Sequence, residues 1–251
     1  MRPVDKPAGD GYRAPREYSS SGGLANVSRT RVPRGAAVAS VAARRRLLLE
    51  MALRRARPGS GSADPFLRER TAVATWPDLT EILAGLPWAV VGAVATRAYM
   101  PERSTQDLEI LVPAEVAQEV RTRLERAQYQ KVQELAIRGA TWRSPSGHLV
   151  DITESRAGWV RQALQHLGRD PQGLPVLALP YLVLMKVESG RAQDLADAAR
   201  MLGLASEDLR EQARVVFRRH APDALEDLET LITLGKREMG RREDASLGSQ
   251  L

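Results

Sequence analysis

The chain has 251 residues, no cysteine, a formal charge of +6 and a pI near 10.0. It is long enough to bury a substantial core, and lacking cysteine it has no disulfide framework, no thiolate nucleophile and no cysteine-ligated zinc. No apolar run reaches the ~18 residues of a membrane span, and MRPVDKPAGDGYR lacks the apolar centre of a signal peptide, so the expected location is the cytoplasm. The charge is uneven: residues 1–57 carry 13 basic and 4 acidic side chains, a net +9, which leaves −3 for the rest. The basic character belongs to the leader and not to the globular part.

Residues 1–33, rich in Gly, Pro, Ser and Arg, read as disordered. Between Gly35 and Arg57, AAVASVAARRRLLLEMALRRAR has the pattern of a basic amphipathic helix. It suits a nucleic-acid arm, a surface-binding helix, or an unstructured extension ahead of a start at Met51. The Gly/Ser run after Pro58 is a linker, since no strand precedes it to make a dinucleotide fingerprint. Order is expected from about Phe66, with Asp78 and Glu81 as a capping box for a helix over Leu79–Leu86 that Pro87 ends.

The stretch WAVVGAVATRAYMPERSTQDLEILVP carries the chemistry. It reads as a buried strand from Trp88 to Val91, a turn at Gly92, a short helix with Tyr99, a polar loop, and a strand over Asp107–Val112. The period of two sets Asp107 and Glu109 on one face and Leu108, Ile110 and Val112 on the other. Like charges side by side repel, and a cation between them relieves the cost. A helix after Pro113 places Val116, Val120 and Leu124 on one face. KVQELAI and ATWRS read as paired strands, and HLVDITES as a third, with Leu149, Asp151 and Thr153 opposite Val150 and Ile152. A helix over Ala157–Leu167 stopped by Gly168, a strand over Leu174–Ala178, and helices broken at Gly190 and Gly203 follow; Ser206 and Pro222 open two more, and the polar tail from Gly240 frays. His148, His166 and His220 have no metal-ligand spacing, and Tyr99 and Trp142 read as core.

Three carboxylates on alternating strands, two of them at i and i+2, suit divalent-metal phosphoryl or nucleotidyl transfer; the alternative is a solvated strand face. The pattern G-A-V-A-x-R-A-Y-x(4)-S-T-Q-D-L-E-I-L-V, a later strand aspartate, and L-x-x-L-M-K-V-x(3)-R-A-Q-D-L-A-D resemble the nucleotidyltransferases of the DNA polymerase beta superfamily. The likeness spans roughly Trp88–Leu202 and is nearest the AbiEii-type toxin branch. It implies an α/β (α+β) fold, a mixed sheet with flanking helices and a helical C-terminal region. The expected organisation is a disordered basic leader and linker over 1–65, a nucleotidyltransferase-like core over 66–178, a helical region over 179–239 and a disordered tail over 240–251.

By that resemblance Asp107, Glu109 and Asp151 are catalytic and hold Mg2+ or Mn2+, while Gly92, Ala93, Lys186 and Asp194 bind a nucleoside triphosphate. Ala93 stands where the family has Ser or Gly in its Gly-Ser or Gly-Gly pair. The Arg-x-x-Asp-x-x-Asp signature falls on Arg191, Asp194 and Asp197. On residue type alone, Lys186 could instead be a snorkelling core lysine, and Asp194 and Asp197 could pair with Arg191 and Arg200. The implied reaction moves a nucleoside monophosphate to an acceptor hydroxyl, which in toxin-type relatives is on tRNA. The alternatives are a degenerate nucleotide- or RNA-binding module and the antitoxin-type regulatory half of a protein pair.

Overall fold

The computed structural model describes residues 40–60, 75–101 and 105–240. The disorder expected over 1–33, the onset of order near Phe66 and the tail beyond Gly240 fall outside the described residues. Among those described, no helix is long and apolar enough to cross a membrane.

A seven-stranded mixed sheet, in the order β3-β4-β5-β2-β1-β7-β6, forms the centre. Its strands are β1 (Ala89–Val91), β2 (Asp107–Pro113), β3 (Gln130–Glu134), β4 (Gly139–Arg143), β5 (Leu149–Ser155), β6 (Leu167–Arg169) and β7 (Pro175–Leu177). β2 runs parallel to β5 and β1 parallel to β7; the other neighbours are antiparallel. β1 and β7 are uniformly apolar and wholly buried, as expected of strands covered on both faces. β2 and β5 alternate instead, because one face carries carboxylates: Leu108, Ile110, Val150 and Ile152 are buried while Asp107, Glu109 and Asp151 are half-buried.

Short helices α2 (Gly92–Thr96) and α4 (Val160–Ala163) and the longer α3 (Ala117–Arg126) join the strands. After β7 the chain is helical: α5 (Leu179–Ser189), α6 (Ala192–Leu204), α7 (Glu207–His220), a 3-10 turn at Pro222–Ala224, and α8 (Leu225–Met239). α5 is buried nearly all round, and Gly190 ends it in the left-handed region. α6 and α8 cross closely. A Cβ on Gly235 would lie 1.9 Å from the Ala199 carbonyl oxygen, and one on Gly203 would lie 2.4 Å from that of Gly235. Gly203 thus sits inside α6, which runs on to Leu204, and serves helix contact where a stop was expected.

The region assigned to a disordered leader contains an ordered helix. α1 (Val41–Arg55) is capped by the Ser40 hydroxyl and packs on α8 and α6 through Leu48, Leu49, Ala52 and Leu53. Its Arg45 is buried: Nε donates to Asp227 Oδ2 at 2.6 Å, a terminal nitrogen lies 2.6 Å from the same oxygen, and Nη1 donates to the Val187 carbonyl at 3.3 Å. Charge runs normally mark solvated faces, and here a partner 182 residues away takes one arginine of the run into the interior.

Two other expectations change. Leu79–Leu86 forms turns and no α-helix, with one α-type bond from the Leu83 amide to the Leu79 carbonyl at 2.8 Å, and Asp78 Oδ1 accepts from both the Thr80 amide and hydroxyl. The helix expected over Ala157–Leu167 stops at Ala163. Leu167 and Gly168 pair with β7 as β6, where a Cβ on Gly168 would lie 2.8 Å from the Tyr99 hydroxyl oxygen.

Candidate active site

Strand register brings the carboxylates together. Glu109 of β2 is opposite Asp151 of the parallel β5, and also opposite Val91 at the end of β1. Register partners on adjacent strands are about 5 Å apart and share a face, so Asp107, Glu109 and Asp151 form one acidic corner. The Thr105 hydroxyl donates to Asp107 Oδ1 at 2.7 Å, tying the loop before β2 to that carboxylate.

Gly92 forms the wall beside Glu109. Its φ of +63° lies in the left-handed region, and a Cβ there would sit 1.5 Å from Glu109 Oε2. The glycine of the β1–α2 turn is therefore demanded twice, by its backbone angle and by the carboxylate against it. Ala93, next along, is buried at the start of α2.

Burial, the largest effect, pushes the Glu109 carboxyl above its ordinary value; Asp107, Asp151 and Asp194 push it the same way, and Lys186 alone opposes them. A half-buried carboxylate surrounded by excess negative field is where an added cation would be most stabilised. The donors are hard oxygens of the kind magnesium prefers. Among the described residues, however, no three His, Cys, Asp or Glu side chains converge closely enough to hold a metal ion as they stand.

Behind the corner lies a buried charge network. Lys186, 3 % exposed, reaches Asp194 Oδ1 at 2.9 Å and Asp197 Oδ2 at 3.0 Å. Asp194 Oδ2 also accepts from the Ser189 hydroxyl at 2.6 Å and meets Arg191 Nε at 3.0 Å. Burial works against ionising Asp194, but Lys186, Ser189 and Arg191 outweigh it and hold the carboxyl below its usual range. Asp197, with no exposed side chain, also accepts from Gln193 at 3.0 Å. Lys186 is thus neither a snorkelling side chain nor a free point charge. It holds the α5–α6 corner together, and its field reaches Glu109.

Asp107, Glu109 and Asp151 share one sheet face, Gly92 lies against Glu109 with Ala93 next along, and Lys186 and Asp194 are close enough for their charges to act on Glu109. Sequence reading overlooked the next strand. Thr141 is in register with Asp151 and Arg143 with Leu149, so both extend the acidic face onto β4, Arg143 in the row of Asp107. The signal was present, since Trp142 in the core requires its neighbours in ATWR to face the other way. Also unforeseen is the buried pair of Arg97 and Asp170, which ties the end of α2 to the β6–β7 turn. His148 bonds to Ser146 within the β4–β5 turn, and the Tyr99 hydroxyl, raised to about 12 by burial, donates to the Leu177 carbonyl.

No family model matches this chain, and no curated protein matches it. Among solved structures, the antibiotic-resistance factor ANT(2'')-Ia in complex with adenylyl-2''-tobramycin is 16 % identical, with a TM-score of 0.36 over 63 % of this chain and 95 % of that one. The solution structure of ANT(2'')-Ia gives 16 %, 0.35, 62 % and 89 %. The Bradyrhizobium diazoefficiens CD-NTase CdnG in complex with GTP gives 13 %, 0.24, 76 % and 86 %. None of these three is an AbiEii-type protein. Likeness at these scores is partial, and the assignment of a site rests on the geometry of the chain itself.

Proposed function

We infer that the protein is a metal-dependent nucleotidyltransferase, moving a nucleoside monophosphate from a nucleoside triphosphate to an acceptor hydroxyl, with RNA (tRNA in the resembling toxin branch) as the candidate acceptor. The observation that carries this reading is the in-register pairing of Glu109 with Asp151, two residues from Asp107, on a face walled by a glycine that only a missing side chain allows. In such a reaction the acceptor oxygen bonds to the α-phosphorus, the bond from that phosphorus to the bridging oxygen breaks, and pyrophosphate leaves. Asp107, Glu109 and Asp151 would hold Mg2+ or Mn2+, which when bound supplies charge neutralisation for the phosphate oxygens. Asp151 Oδ accepts the acceptor's hydroxyl hydrogen and orients it for attack. Gly92 leaves room for the Glu109 carboxylate to sit against the turn, and the Lys186–Asp194 pair fixes the helix corner behind it. Catalysis of this kind rests on positioning and electrostatics.

A second reading is a nucleotide-binding module without turnover, or a regulatory partner protein. It is favoured by the engagement of Lys186 with two carboxylates and by Ala93, which offers no hydroxyl. Pyrophosphate release separates the two. With Mg2+ or Mn2+, a mixture of the four nucleoside triphosphates and total cellular RNA as acceptor, the wild type is expected to release pyrophosphate and Asp107→Asn to lose that activity. Metal-dependent nucleotide binding without release would establish the binding module.

A further inference from the structure

The helix α1 divides its side chains sharply. Leu48, Leu49, Ala52 and Leu53 turn to α6 and α8, and Arg45 is spent on Asp227. Exposed are Arg54 on the outer side with Leu47, Met51 and one acidic residue, Glu50, Arg44 and Arg55 along one flank, and Arg46 on the other. Arg54 is 3.9 Å from Glu50, at the outer limit of an ion pair. From Arg44 to Arg55 the helix advances about 16 Å, enough to face several consecutive phosphates.

A helix built for a bilayer surface keeps a broad apolar face free to enter the lipid. α1 has already buried its apolar face in protein, which leaves guanidinium groups whose planar forks match phosphate oxygens. The rest of the chain, at −3 beyond residue 57, offers no comparable excess of positive charge. The N-terminal end of α1 also meets the candidate site's scaffold. A Cβ on Gly190 would lie 2.8 Å from Val41 Cγ1, and Gly190 closes the helix that carries Lys186.

We propose that the outer face of α1 is a binding surface for the phosphate backbone of RNA. The phosphate contact stands on α1 alone. The choice of RNA over DNA rests on the transferase reading, in which the acceptor must bring a hydroxyl, and RNA carries one on every ribose.

The test is fluorescence anisotropy of the full chain with a short labelled single-stranded RNA, the matching DNA, and phosphatidylserine vesicles in a sedimentation arm, across a salt series. Each phosphate neutralised on a single strand contributes about −0.7 to the slope of log affinity against log salt. Replacing Arg44, Arg46, Arg54 and Arg55 by Gln is expected to weaken RNA binding by about tenfold or more at low salt and to flatten the slope by up to about 3. Replacing four other exposed arginines, Arg126, Arg138, Arg156 and Arg219, by Gln should leave both unchanged. All eight positions are exposed, so circular dichroism should show both variants folded. Equal weakening in the two variants, or none in either, overturns the proposal, as does vesicle binding in place of RNA binding. DNA bound as tightly as RNA overturns the choice of RNA. Because only binding is read, a wild type that binds RNA through α1 but shows no turnover would leave this surface standing while the transferase reading fell.

Discussion

Removing the Asp227 carboxylate tests whether α1 is an integral part of the fold. Arg45 and Asp227 have only 6 % and 4 % of their side chains exposed, and two guanidinium nitrogens contact one carboxylate oxygen at 2.6 Å. In Asp227→Ala the guanidinium keeps a single long bond to the Val187 carbonyl. Breaking a buried pair from one side costs about 3–5 kcal/mol, because a bare charge is left behind. For a chain of this size each kcal/mol is worth roughly 2–4 °C, so the melting temperature should fall by about 6–20 °C. Replacing both partners at once, Arg45→Met with Asp227→Leu, removes the bare charge and should recover most of the loss. The assay is urea and thermal unfolding of wild type, both single variants and the double variant. A single variant within about 1 kcal/mol of wild type, or a double variant no better than the singles, would refute a docked α1.

At Gly92, alanine should destabilise the fold by about 2–5 kcal/mol, the left-handed angle and the displaced Glu109 carboxylate both contributing; chemical denaturation measures it. Glu109→Gln should show a pH signature. The folded-state pKa of Glu109 is raised, so its favourable contribution is complete below the unfolded value of 4.5 and is lost as pH rises through the folded value. The glutamine variant should therefore be more stable than wild type near neutral pH, with the gain vanishing as pH falls towards 4.5, while pyrophosphate release drops by about 10²–10³-fold. Asp151→Asn should cut turnover about 10²–10⁴-fold with little change in melting temperature, read by paired activity and thermal scans. Lys186→Met should destabilise by about 3–5 kcal/mol, since Asp194 and Asp197 lose their shared cation; equilibrium unfolding tests it.

The acidic corner was legible because a strand writes its face into alternate residues: DLEILV and LVDIT each declare a carboxylate side and a core side. Glycine at position 92 was legible as a turn, but its second role, leaving room for Glu109, depends on a strand that returns 17 residues later. What pattern alone hid were long-range choices. Helical spacing sets Arg45 on the stripe of Leu49, Ala52 and Ala56, but only the carboxylate of Asp227, 182 residues away, lets an arginine be buried there. Likewise Leu167 continues a helical pattern and Gly168 reads as its stop, yet both pair with β7 as β6.

The most direct test of the acidic corner is transfer of label from each α-labelled nucleoside triphosphate to total cellular RNA, with Mg2+ or Mn2+, by wild type and by the Asp107→Ala, Glu109→Ala double variant. Label on RNA that disappears in the double variant is the predicted result. A folded wild type that transfers no label to RNA, to protein or to itself would contradict it.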